Sequence, residues 1–134
     1  MGHGRFTCMA NVLGIGAVMF KSKDPEALGA WYGKMLGLPL RGEGFGLFRW
    51  RSHDEPGREH CSVWALFPEG AEKFGTSRSP FVINYIVDSL DEVLDRLRRA
   101  GAAVEEVEES EEGRFGWVYD PEGNRVELWE PAMK

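Results

Sequence analysis

The chain is written twice. Phe20 and Tyr85, and likewise Tyr32 and Leu97, stand at one offset of 65 residues; Gly37 and Gly101 are 64 apart, and Pro68 and Pro131 are 63 apart. Small insertions or deletions in loops produce that drift. An internal repeat constrains architecture more than any single motif, because each copy is one supersecondary unit that must bury its apolar face against the next. The 134 residues therefore divide into two modules, within the roughly 100–200 residues of a single domain.

Each copy contains a helix with readable ends. Asp24-Pro25 supplies an N-cap followed by proline at the first helical position, where its missing N–H costs nothing. Leu28, Trp31, Tyr32 and Met35 then fall at i, i+3, i+4 and i+7, a core-facing stripe, and Gly37 can stop the helix in the left-handed conformation. Trp31 is expected in the core. The second helix opens with the capping box Ser89-Leu90-Asp91-Glu92, repeats the stripe with Leu90, Val93, Leu94 and Leu97, and stops at Gly101. Its acids come early and Arg96, Arg98 and Arg99 late, which suits the helix dipole.

Apolar strands precede these helices at 13–20 and 81–87. Strands follow the first at 38–40, 45–50 and 60–67, and the second at 102–107, 115–119 and 125–130. Asp120-Pro121-Glu122-Gly123-Asn124 is turn chemistry that joins the last two as a hairpin. Both halves read strand–helix–strand–strand–strand. The predicted organisation is one α+β domain with a flexible leader at 1–11, a first module at 12–70, a connector at 71–80 and a second module at 81–131. The apolar run 8–20 behind Arg5 imitates a signal-peptide core, but it lacks a small-x-small cleavage site and is too short to span a bilayer.

A tandem βαβββ repeat, the helix entry Lys23-Asp24-Pro25-Glu26 with Trp31-Tyr32 and Leu36-Gly37-Leu38, and the ending Asp120-Pro121-Glu122-Gly123-Asn124-Arg125-Val126-Glu127-Leu128-Trp129 resemble the vicinal oxygen chelate superfamily. Glyoxalase I, bleomycin-resistance proteins and extradiol dioxygenases are members. The resemblance covers residues 12–131 and implies curved mixed sheets that form a cup around one site, often within a homodimer. Metal-dependent members take ligands from the first and last strands of each module. Carried onto this chain, those positions are Ala17, Trp64, Val82 and Glu127, of which only Glu127 can bind a metal. No cofactor is expected on that basis; a divalent metal would need unconventional ligands, such as a His60–Glu127 pair that still lacks a third protein ligand. Among the three histidines, His3 lies in the leader, His53 in a polar loop, and His60 begins the strand of Trp64.

What the cup offers instead is an apolar pocket with a few polar points, the usual character of a small-molecule site. Ala17, Trp64, Trp129 and Val82 are its expected walls, and Glu127, Asn84 and His60 its polar groups. Tryptophan faces suit planar or cationic ligands, and Glu127 is the candidate catalytic base. Three functions follow: a metal-independent binding protein of the bleomycin-resistance type for an aromatic or cationic compound; a lyase, isomerase or epimerase of the glyoxalase type using Glu127 as base or metal ligand; or a dimeric scaffold with a vestigial site. A dioxygenase is disfavoured, because its iron needs two histidines and a carboxylate.

Charge narrows the partners. Sixteen Lys plus Arg against twenty-two Asp plus Glu give −6, which argues against nucleic acid, and nothing in the sequence suggests a membrane partner. Six glutamates crowd between Glu105 and Glu112, read as a solvated loop or a charged strand edge. Cys8 and Cys61 make no disulfide framework, which suits reduced thiols and a cytoplasmic location.

Overall fold

A computed structural model of the chain describes residues 11–41 and 45–132; the expected leader, with His3 and Cys8, lies almost entirely outside the described residues. Within them the repeat is explicit. The first module runs β1 (Val12–Ser22), α1 (Pro25–Leu36), β2 (Leu40–Arg41), β3 (Phe45–Arg51) and β4 (Glu59–Pro68). After a single 3₁₀ turn at Glu72–Phe74 come β5 (Phe81–Val87), α2 (Leu90–Arg99), β6 (Glu108–Ser110), β7 (Gly113–Tyr119) and β8 (Arg125–Pro131).

All eight strands join one mixed sheet in the order β2-β3-β4-β1-β5-β8-β7-β6. In each module the first and last strands are parallel, β1 with β4 and β5 with β8; the helix lies in the crossover connection that a parallel pair requires. The modules meet where β1 and β5 pair antiparallel. That seam carries the local twofold of the duplication. Val18 opposite Ile83 is the 65-residue pair itself, and the flanking pairs Ala17–Asn84 and Met19–Val82 exchange under the symmetry.

The helix ends form as their chemistry dictates. Asp24 accepts the Ala27 N–H at 3.1 Å, and Ser89 accepts that of Glu92 at 3.4 Å. Gly37 closes α1 at φ 69°, a left-handed value that a Cβ disfavours. The two apolar stripes differ in fate. On α2, Leu90, Val93 and Leu94 are buried against Val87, Val118 and Leu128. On α1 only Gly29 is buried; Trp31, expected in the core, is 51% exposed, as are Met35 (61%) and Leu36 (63%). Tyr32 supplies the main aromatic contact of α1, 4.8 Å from the Trp64 ring.

Two further expectations shift. The strand foreseen at 102–107 forms at 108–110, leaving Val104 as a lone bridge to Val118. Glu105 turns back to Arg125 at 2.7 Å, so it is not part of a free acidic run. The connector also does structural work: Phe74, 1% exposed, packs on Ala17, Met19, Ala65 and Val82 on the sheet face opposite the helices.

Candidate functional site

Sheet register decides which side chains enter the cup. Glu127 of β8 sits beside Asn84 of β5, and Asn84 sits beside Ala17 of β1. The local twofold carries Asn84 onto Met19, whose β4 neighbour is Ala65. The four positions of the expected ligand set are therefore Ala17, Ala65, Val82 and Glu127. Trp64 is a correction: it lies one residue away and faces the helices, against Tyr32 at 4.8 Å and Phe20 at 6.1 Å. A one-residue slip moves a strand side chain to the other face. The prolines that end the modules gave an offset of 63, whereas the register across β4 and β8 is 62.

Three of these positions are hydrocarbon, and Phe74 closes over them. Met19, the remaining cup residue at this level, is likewise buried at 3% exposure. Such a set lacks the oxygen, nitrogen or thiolate ligands that a divalent cation needs. Among the described residues, no group of three or more His, Cys, Asp or Glu could hold a metal.

Glu127 is occupied otherwise. It is 4% exposed. Its Oε2 accepts from Asn84 Nδ2 at 2.6 Å and its Oε1 from Trp117 Nε1 at 2.9 Å, while Lys73 Nζ stands 3.6 Å from Oε1. All three partners are donors, matching a carboxylate that can only accept. The outer layer fixes them in turn. Arg125 lies 5.2 Å over the Trp117 ring, donates to the Lys73 carbonyl at 2.5 Å and pairs with Glu105 at 2.7 Å. Trp117 was legible in principle, because the turn at 120–124 sets it opposite Glu127. Lys73 had no signal, since it arrives on the connector.

Asn84, foreseen as a site residue, is 2% exposed and half satisfied: Oδ1 has no hydrogen-bond partner. Flipping the amide would set two acceptors against each other at Glu127. An unmade bond of this kind costs about 1–3 kcal/mol.

Next to this network opens a cavity of about 860 Å³. Trp129, Ile86 and Cys61 line it, as do Glu55, Glu59, Glu111 and Glu112 with Arg58. Cys61 is a free, half-buried thiol. Trp129 stacks parallel on Phe115 at 5.8 Å, and Phe115 on Trp117 at 6.4 Å. The Trp129 Nε1 donates to the Glu112 carbonyl at 2.9 Å. A further depression of about 780 Å³, beside Trp31 and Tyr32, lies against α1 and holds none of this network.

His60 borders the 860 Å³ cavity but not the carboxylate network. Four residues before Trp64, it shares that residue's face of β4, and its ring stacks on Trp50 at 4.7 Å. Trp50 is held by its Nε1, which donates to Ser62 Oγ at 2.7 Å. Burial, then the nearby Arg58 charge, lower the His60 pKa from 6.5, against a smaller opposing pull from Glu55. The unfolded chain therefore takes up this proton first, and stability falls as pH drops through 6.5 and below. In thermal melts between pH 7.5 and 5, His60→Gln should show a shallower decline than the wild type. Parallel slopes would remove His60 as the cause.

The family model of the glyoxalase-like domain matches residues 17–129. No curated protein matches the sequence. Solved structures share the fold at low identity. Streptomyces coelicolor methylmalonyl-CoA epimerase, in complex with 2-nitronate-propionyl-CoA, superposes with a TM-score of 0.65 at 18% identity, covering 92% of this chain and 100% of that one. The epimerase from Mycobacterium tuberculosis gives 0.61 at 20%, covering 91% and 90%. The Mn(II)-bound glyoxalase from Novosphingobium aromaticivorans gives 0.58 at 21%; 91% of this chain matches 40% of that longer one.

Proposed function

The chain belongs to the family of glyoxalase-like domains, and from that premise we propose that it is a metal-independent binding protein for a small planar, cationic molecule held beside Trp129. One observation carries the reading. Three of the four positions that would ligate a metal lie in an apolar cluster closed by Phe74, and the fourth, Glu127, is held by Asn84 and Trp117, while a tryptophan-walled cavity with an acidic rim opens beside them. An indole face attracts cations, and four lining glutamates, of which Glu59 is paired with Arg49 and Arg51, against one lining arginine favour the same charge.

Benzamidinium, benzamide and benzoate share a planar shape and differ in charge, so they serve as probes. Tryptophan quenching or calorimetry should rank them in that order, and Trp129→Ala should weaken benzamidinium about tenfold, on the scale of about 0.5–2 kcal/mol for a cation on an aromatic face. A preference for benzoate, or stoichiometric metal in protein purified without chelator, would overturn the reading. Catalysis with Glu127 as base is the alternative. It is disfavoured because both carboxylate oxygens already accept hydrogen bonds and the side chain is 4% exposed.

The same reading includes a homodimer in the cytoplasm. Its support is an internal contrast: α1 turns Trp31, Met35 and Leu36 outward, where the 65-residue offset puts Arg96, Ala100 and Gly101 in the second module. Sedimentation should show a dimer that Met35→Lys weakens; an unaltered dimer would place the contact elsewhere. Among the described residues, no helix is long and apolar enough to cross a membrane.

A further inference from the structure

Asn84 carries one atom that the network around Glu127 does not use. Its Nδ2 is committed to the carboxylate, which aims Oδ1 the other way, toward Gly16 on β1. Gly16 is where a register shift interrupts the pairing of β1 with β5. A Cβ there would stand 2.3 Å from Asn84 Oδ1, 2.9 Å from the Trp129 ring and 3.0 Å from Ile86. The missing methyl thus marks the point where the buried oxygen meets two of the side chains that wall the cavity. Buried polar atoms are almost always paired, and one that is not calls for a partner.

We propose that Asn84 Oδ1 is the specificity-determining acceptor of this cavity, reading an N–H donor at the leading end of a planar cationic ligand such as an amidinium or a protonated aromatic amine. The inference rests on the cavity beside Trp129 being the ligand site. Asn84 does not itself line the cavity, whereas Trp129 and Ile86, which gather with its oxygen around Gly16, do, so the ligand reaches the oxygen by displacing the edge of the indole. That indole is anchored through its Nε1 to the Glu112 carbonyl, between β6 and β7. The division of labour is simple: the tryptophan face and acidic rim select charge and flatness, and the amide oxygen selects a donor.

Two phenyl cations separate these roles, benzamidinium with N–H donors and phenyltrimethylammonium with none. Wild-type protein should bind benzamidinium about tenfold or more tightly, the scale of one hydrogen bond to a charged group. In Asn84→Leu the preference should fall to about twofold or less while phenyltrimethylammonium affinity is kept. In the wild type, the Asn84 side-chain amide resonances should shift with benzamidinium and stay put with phenyltrimethylammonium. This second measurement decides the matter if the variant does not fold. No preference in the wild type, a preference that survives in the variant, or an ordered water retained on Oδ1 with benzamidinium bound would each overturn the assignment. If Trp129→Ala weakens both probes while Asn84→Leu leaves their ratio intact, the cavity stands and Asn84 falls. If neither probe binds, the cavity reading fails and takes the assignment with it.

Discussion

Phe74→Ala should lower the unfolding free energy by about 3–5 kcal/mol, the range for deleting a buried aromatic ring. The ring is 1% exposed and touches both modules, meeting Ala17, Met19 and Ala65 on one side of the seam and Val82 on the other. It stands edge-on to Phe67 at 6.1 Å, and Lys21 Nζ lies 5.4 Å from its centroid. The two alanines beneath it are too short to collapse into the space, so little of the cost is recovered by relaxation. In urea, the midpoint should fall with an unchanged slope, since the exposed surface of the unfolded chain hardly alters. A loss below about 1 kcal/mol, ordinary for surface substitutions, would show that the connector does not close the cup. The variant also addresses function. Emptying the space over Ala17, Ala65 and Val82 exposes hydrocarbon, so it should create no metal affinity.

The fold was legible because its signals are local and repeated. Asp24-Pro25, Ser89 with Glu92, and the glycines that follow each helix act within one turn of chain, and each produced the element expected. The site was legible only where register could be inferred. Glu127 and Asn84 lie in neighbouring strands that pair without a register shift, and they meet at 2.6 Å. Trp64 was misplaced because proline spacing measures loop ends, whereas side-chain facing depends on strand pairing. Trp31 was misread for a related reason: a helical stripe announces that a face is apolar, not that this chain covers it. Phe74 and Lys73 were invisible because no periodicity governs a connector. Their roles come from the three-dimensional path by which residues 71–80 cross the cup.

Glu127→Ala should be as costly as the loss of Phe74, by a different route. The carboxylate accepts two charge-assisted hydrogen bonds, from Asn84 and Trp117, each worth about 1.5–3 kcal/mol. Lys73 adds less: at 3.6 Å and 32% side-chain exposure, its pairing belongs near the 0–1 kcal/mol of surface ion pairs. Removing the acceptor leaves the buried Asn84 and the half-buried Trp117 N–H groups without partners, so a loss of about 3–5 kcal/mol is expected. Glu127→Gln should be intermediate, because one amide oxygen can serve one donor while its NH₂ opposes the other. A double-mutant cycle with Trp117→Phe, which deletes one N–H and keeps an aromatic ring, isolates that bond. Its coupling should approach about 2 kcal/mol, within the range for residues in one hydrogen-bonded network. If Glu127→Ala is nearly neutral and the coupling vanishes, the carboxylate is not a structural acceptor, and its burial would then point back to chemistry.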